Sequence, residues 1–266
     1  MVQGASDRWT SGELYEPYVG RWSRLVAKTF LGWLDAPSNL DWLDVGCGTG
    51  ALTQAIAETC APKRLAGIDP SAGFLDFARR RLGRDHAEFW QADAGQLPFA
   101  ESEFDRLVSG LMLNFVPDPA RAVSEMVRVT RPGGALALYV WDYTGRMEMM
   151  RYFWDAAAAL NPRAGEMDEG KRFKICRPEA LNQIFLAAGL DDVETHPIDV
   201  PTTFRDFDDY WTPFLGGQGP APVYCMSLTD DARAELRERL RKTLPTRQDG
   251  GIDLIARAWA VRGIKD

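Results

Sequence analysis

Three aspartates and one glycine run carry most of the chemistry that can be read from this sequence. The run is Trp42-Leu43-Asp44-Val45-Gly46-Cys47-Gly48-Thr49-Gly50. An apolar strand enters alternate glycines, and a helix begins directly afterward. Glycine lets the backbone turn tightly and approach a ligand, while a helix N-terminus presents free N–H groups to an anion. Either a pyrophosphate or the carboxylate of an amino acid fits such a turn. Spacing separates the two. A dinucleotide site reads G-x-G-x-x-G, and this run reads G-x-G-x-G. Asp44, an acid just before the turn, sits badly beside a pyrophosphate and suits a cationic amino or sulfonium group.

The second acid stands in Gly67-Ile68-Asp69-Pro70-Ser71. At the carboxyl end of a strand, Asp69 can accept from both hydroxyls of a ribose. A helix cap is the alternative use of such a residue, and Ser71 can supply that cap instead. The third acid follows the next strand in Gln91-Ala92-Asp93-Ala94. Asp93 can accept from an adenine amine, and the next backbone N–H, that of Ala94, can donate to the ring. Together the three acids describe one edge of a sheet that holds a nucleoside with a charged tail.

The elements that must position these residues alternate regularly from Leu40 to Tyr139. Strands are expected at Leu40–Val45, Arg64–Ile68, Ala87–Gln91, Phe104–Ser109 and Ala135–Val140. Helices are expected at Ala51–Thr59, Ala72–Leu82 and Pro119–Val129. Short apolar strands separated by amphipathic helices imply parallel strands joined by right-handed crossovers, a doubly wound α/β sheet. Beyond Val140 the pattern loosens. Helices are expected near Met147–Leu160 and Pro178–Ala188, and last strands at Asp192–Val200 and Asp253–Ala260. An aromatic and proline-rich insertion separates these two strands. It holds an amphipathic helix that begins at Asp230 and Asp231 and aligns Leu236, Leu240 and Leu244. A first helix, with Pro17 in its first turn, repeats Val19, Trp22, Leu25, Val26, Phe30 and Leu34 at helical spacing. That helix and the insertion are expected to form a lid over the ligand edge.

In this order, the motifs resemble the class I S-adenosylmethionine-dependent methyltransferases, in the subgroup of ubiquinone/menaquinone biosynthesis C-methyltransferases. The likeness runs from about Tyr15 to Tyr139. It includes the Phe104-Asp105-Arg106-Leu107-Val108 strand and the Arg131-Pro132-Gly133-Gly134 turn. The resemblance implies a Rossmann-like seven-stranded sheet with an antiparallel last strand inserted beside the sixth, S-adenosylmethionine as cofactor, and a small-molecule acceptor. It implies one domain over 1–266: cap helix 1–36, cofactor core 37–145, helical segment 146–190, lid insertion 200–250, and last strand 251–266.

By the same resemblance, Gly46, Cys47 and Gly48 line the methionine part, with Asp44 beside them. Asp69 and Pro70 meet the ribose, and Asp93 with Ala94 meets the adenine. Leu111 lies near the methionine group, and Arg21 pairs with the cofactor carboxylate. The acceptor is expected among Tyr15, Tyr18, Asn114, Trp141 and Trp211. Many relatives carry histidine where Asn114 and Phe115 stand here, so no base is expected from that segment. Residues 1–22 are expected to gate the site rather than complete the core.

Composition narrows the alternatives. Of the 266 residues, 45% are hydrophobic and 26% charged, which is ordinary for a globular chain. A net charge of −7 disfavours nucleic-acid partners, which need many cations against phosphates. The basic runs Arg79-Arg80-Arg81 with Arg84, and Arg237 through Lys242, fall late in expected helices, where cations suit the dipole. Cys47, Cys60, Cys176 and Cys225 form no CxxC pair, so neither disulfides nor a zinc site is expected. Without a basic-then-apolar leader or an apolar run near ~20 residues, a cytoplasmic setting is expected. The stretch Gly165-Glu166-Met167-Asp168-Glu169-Gly170-Lys171-Arg172 imitates a phosphate loop, but no strand precedes it and three acids repel phosphate. His86 and His196 are expected to be structural.

Methyl transfer from a sulfonium requires in-line approach and exclusion of water, and a base only where the acceptor holds a weakly acidic proton. With no histidine in place, either the acceptor ionises readily or a carboxylate or tyrosine from the lid is the base. Trp141, Tyr143, Phe204, Phe207, Tyr210, Trp211 and Phe214 suggest an acceptor with apolar or ring surface. Two other readings stand beside this one: a catalytically silent cofactor-binding module, and a nucleotide-cofactor oxidoreductase, which the glycine spacing disfavours.

Overall fold

The computed structural model describes residues 16–83, 86–217 and 219–266, with the side chains of Glu16 and Pro17 left aside. Tyr15 lies outside the described residues. Strand β1, Asp41–Val45, is buried at every position and occupies the middle of the sheet. It pairs in parallel with β2, Arg64–Asp69, on one side and β4, Phe104–Gly110, on the other. β3, Glu88–Gln91, extends the sheet beyond β2, and β5, Thr130–Trp141, extends it beyond β4. Chain order therefore reverses between β1 and β4. In open α/β sheets that reversal opens a crevice at the strands' carboxyl ends.

The described residues form a seven-stranded sheet in the order β3-β2-β1-β4-β5-β7-β6. β7, Ile252–Lys265, runs antiparallel between β5 and β6, Leu190–Phe204. β6 and β7 are both longer than their sequence signals, because they pair with each other from Leu190–Lys265 to Phe204–Ile252. Pro197 and Pro201 interrupt the apolar pattern of β6 but are tolerated there, since β6 is an edge strand. β5 also begins early and carries Arg131 to Gly134 inside it, with a register shift against β4 between Phe104 and Arg106.

Helices α2, Ala51–Thr59, α3, Ala72–Leu82, and α4, Pro119–Val129, join the parallel strands with the bounds that their periodicity predicts. Ser71 caps α3 by accepting from Phe74 N, and Asp118 caps α4 by accepting from Arg121 N. Arg79, Arg80 and Arg81 occupy the last turn of α3, where they complement its dipole. Helix α5, Glu148–Leu160, follows β5, and the four-residue helix α6, Glu169–Arg172, follows α5.

The N-terminal segment departs from the expectation of a detachable gate. Helix α1, Arg21–Leu34, follows a short helical turn at Glu16–Gly20, and Tyr18, Val19, Trp22, Val26 and Phe30 are all buried in the main core. Trp22 meets Phe204 of β6 edge to face at 5.4 Å, and Phe30 meets Tyr139 of β5 at 4.7 Å. The segment bridges the sheet and the insertion. In that insertion, Leu236, Leu240 and Leu244 of the helix at Asp230–Thr243 and its end are buried as their spacing predicts.

Candidate active site

A cavity of about 320 Å³ opens at the carboxyl ends of β1, β2, β3 and β4. That volume is within the ~300–1,000 Å³ typical of small-ligand sites. Asp44, Gly46, Cys47, Gly48, Asp69, Pro70, Asp93, Ala94 and Leu111 all line it. The residues singled out along 67 positions of sequence are brought to one wall by parallel strand pairing.

The glycine turn is tied to the end of β2. Gly46 N and Cys47 N both donate to the carbonyl of Ile68 at 2.8 Å. Gly46 has φ of +73°, and a Cβ there would lie 2.3 Å from Met112 Cγ. Asp69 completes the tie: its Oδ2 accepts from Gly48 N at 3.0 Å and its Oδ1 from Ser71 N at 2.8 Å. A carboxylate offers about four acceptor sites, so capacity for further donors remains. Burial raises the Asp69 carboxyl above its ordinary value, against the lowering effect of these backbone donors. Asp93 folds the next turn by accepting from Gly95 N at 2.7 Å.

Asp44 is fully buried, and its carboxyl is pushed up to about 7, chiefly by burial. Thr53 donates to Oδ2, while Oδ1 is buried without a hydrogen-bond partner and belongs to a residue of the cavity wall. Such an oxygen is costly unless a donor, best a cation, meets it. Cys47 is likewise buried, and burial raises its thiol well above the ordinary range, so it is no nucleophile at neutral pH.

A family model described as a methyltransferase domain matches residues 43–138. The demethylmenaquinone methyltransferase of Geobacillus stearothermophilus is 30% identical over 170 residues, covering 58% of this chain and 72% of that protein. The chain belongs to the S-adenosylmethionine-dependent methyltransferase family. Against the demethylmenaquinone methyltransferase of Clavibacter sepedonicus, identity is 38% over 97 residues, 36% of this chain and 39% of the relative. The chain thus spans less than half the length of several curated relatives that it matches. The solved phosphoethanolamine N-methyltransferase 2 of Haemonchus contortus, in complex with S-adenosyl-L-methionine, superposes with a TM-score of 0.61 at 14% identity. That superposition covers 99% of this chain and 59% of the other, and it speaks to the fold.

For a member of this family, the donor set fits the cofactor. Asp44 Oδ1 is the orphaned acceptor that an ammonium or sulfonium end requires. Gly48, at φ of +54°, holds a left-handed turn, and a Cβ there would stand 4.0 Å from Phe74 Cδ2. The second half of the methyltransferase cavity is apolar and aromatic, with Tyr18, Phe115, Trp141, Tyr143 and Met150 on its wall. Leu111 joins the halves in a left-handed conformation, φ 60°, held by its N–H bond to Tyr139 O at 2.8 Å. A non-glycine residue there is strained, and such strain concentrates at ligand sites.

Three sequence-predicted residues are placed elsewhere. Arg21 does not line the cavity: its guanidinium lies over Trp22 and Phe204 at 4.4 and 4.8 Å and pairs with Asp209 at 3.1 Å. Trp211 packs against Phe207 and Phe214 in the insertion's own core. Asn114 is buried beside the cavity wall, with neither amide atom partnered by protein. Phe204, Phe207, Tyr210 and Phe214 also fill core, so of the expected aromatic lid only Trp141 and Tyr143 reach the cavity. His196 stacks on Trp33 at 5.3 Å, a packing role, and His86 is exposed before β3.

Glu169 is the polar group that sequence reasoning missed. It lines the aromatic half, is 2% exposed, and accepts from the indole N–H of Trp154. It belongs to the stretch that imitates a phosphate loop. Its local signal was Asp168, which caps α6 by accepting from Gly170 N at 2.9 Å. Nothing local in the sequence tells which of the neighbouring acids turns inward.

Proposed function

We propose that this chain transfers the methyl group of S-adenosylmethionine to a small acceptor with apolar or ring surface. One observation carries the reading: a single cavity joins an acidic half, with Asp44, Asp69 and Asp93, to an aromatic half, with Tyr18, Phe115, Trp141 and Tyr143. Asp44 would hold the cationic amino end, Asp69 the ribose hydroxyls, and Asp93 with Ala94 the adenine edge. The bound cofactor supplies a methyl group already activated on a sulfonium. What remains for the protein is to align the acceptor and keep water out, which apolar rings around the reacting centre achieve. The similarity to demethylmenaquinone methyltransferases favours a quinone-derived ring as acceptor.

The test is thermal denaturation with four compounds. S-Adenosylmethionine and S-adenosylhomocysteine should each raise the transition, and NAD and NADP should not. At ~100 times its dissociation constant a ligand adds ~2.7 kcal/mol. A shift with NAD alone would overturn the reading.

A further inference from the structure

The geometry points to Glu169 as the general base that takes the acceptor's proton, from a hydroxyl carried on an aromatic ring. The inference rests on the cofactor reading above. Glu169 is the carboxylate on the aromatic half of the cavity wall, while Asp44, Asp69 and Asp93 stand on the acidic half. Its placement is built. Helix α6 carries it inward, Trp154 Nε1 donates to Oε2, and α5 supplies both Trp154 and the cavity residue Met150.

Two charged neighbours act on it in opposite directions: Asp168 raises the carboxyl, and Arg151, which pairs with Asp168 at 2.8 Å, lowers it. The other titratable groups that interact with the carboxyl are Tyr18 and Cys176. Tyr18 donates its hydroxyl to Met150 Sδ at 3.1 Å, and burial raises both Tyr18 and Cys176. Neither is a base at neutral pH. Burial pushes the Glu169 carboxyl to about 7, with the Trp154 hydrogen bond working against that rise. A base matched to neutral pH is the most effective one, whereas a carboxyl half neutral at that pH is a poor partner for a permanent cation. That difference favours a proton-donating ring hydroxyl over an ammonium acceptor.

The step balances simply. The ring O–H proton passes to a Glu169 carboxylate oxygen as the freed oxygen pair bonds to the methyl carbon. The electrons of the C–S bond stay on sulfur, leaving a thioether, and Glu169 later returns its proton to water.

The test compares two probes, 1-naphthol, which needs a base, and 4-nitrophenol, a far stronger acid that ionises near neutral pH without one. Glu169→Gln keeps an acceptor for Trp154, and S-adenosylhomocysteine calorimetry should report parent-like affinity. Its turnover of 1-naphthol should fall by ~100-fold or more, the usual contribution of a general base, while 4-nitrophenol changes by less than ~5-fold. In the parent, 1-naphthol turnover should rise with pH through about 7 and level off. Trp154→Phe removes the stabilising donor and should move that midpoint upward while leaving the base in place, a readout independent of the Gln variant's folding. Equal losses for the two probes, or an unmoved pH profile in both variants, would overturn the assignment. So would a parent protein that binds S-adenosylhomocysteine and methylates neither probe, an outcome that leaves the cofactor reading intact. Failure to bind S-adenosylhomocysteine removes the cofactor reading itself, and the assignment falls with it.

Discussion

Thr53 donates its hydroxyl to Asp44 Oδ2 at 2.6 Å, and the other oxygen of that carboxylate, Oδ1, is buried without a partner. One oxygen is anchored by the first helix after the glycine turn, so the other is held in place at the cavity wall. The arrangement costs stability when no ligand is bound and orients the acid when one is.

The cost has a pH signature. Asp44 moves from an ordinary 3.8 to about 7 in the folded chain, a change equivalent to roughly 4 kcal/mol. Because the folded value is the higher one, the stabilisation is full below about 4 and is lost as pH rises through about 7. The ligand-free Asp44→Asn variant should therefore gain stability over the parent between pH 5 and pH 8 in denaturant titrations. Its affinity for S-adenosylhomocysteine should fall, since the counter-charge is gone. A constant stability difference across that range would show that Asp44 is already ionised in the fold at pH 5 and that its carboxyl is not raised.

Asp69 serves the turn as well as the ligand. Asp69→Ala should weaken S-adenosylhomocysteine binding about 10- to 100-fold, or ~1.4–2.8 kcal/mol. The loss extends to the fold, because Gly48 N and Ser71 N both lose their acceptor. A further loss of ~1–3 kcal/mol in stability follows from stranding such donors. Asp69→Asn keeps one acceptor oxygen and should lose less of both. Calorimetry on the three proteins decides it: parent-like binding by the Ala variant would reduce Asp69 to a turn residue.

Gly46 is required twice, for its φ of +73° and for the approach of Met112. Gly46→Ala should cost about 2–4 kcal/mol from backbone strain and overpacking together. Adding Met112→Ala removes Cγ but keeps the Cβ, 2.8 Å from the added methyl, so it should restore part of the overpacking share and leave the strain. If the double variant is no more stable than the single one, the side-chain contact is not what excludes a Cβ.

The N-terminal turn is core as well as wall. Trp22→Ala should destabilise the domain by ~3–5 kcal/mol, as for other buried large aromatics. A chain lacking residues 1–22 should melt well below the parent by circular dichroism. An unchanged melting curve would return the segment to the role of a dispensable gate.

Much of the acidic cavity wall was legible because it is made locally. Strand, glycine turn and helix N-terminus are contiguous between Trp42 and Thr59, and a strand ending in an acidic turn recurs at Asp69 and Asp93. Parallel pairing then brings successive strand ends to one edge without further information. The swap of β6 and β7 was accessible only through the family resemblance, since antiparallel insertion depends on partners chosen across the sheet.

The acceptor half was decided by tertiary structure. Arg21 has the charge to meet a carboxylate and meets that of Asp209, 188 positions away, instead of a ligand's. Trp211 and Trp141 are both large aromatics at helix or strand ends, yet one fills the insertion's core and the other faces the cavity. Glu169 and Glu166 stand three residues apart in one acidic loop, and only the packing of α6 beneath Trp154 buries the first while the second stays exposed. Turns and helix starts follow from short-range sterics and hydrogen bonds, which a sequence states directly. Burial of a polar side chain depends on what distant segments place over it.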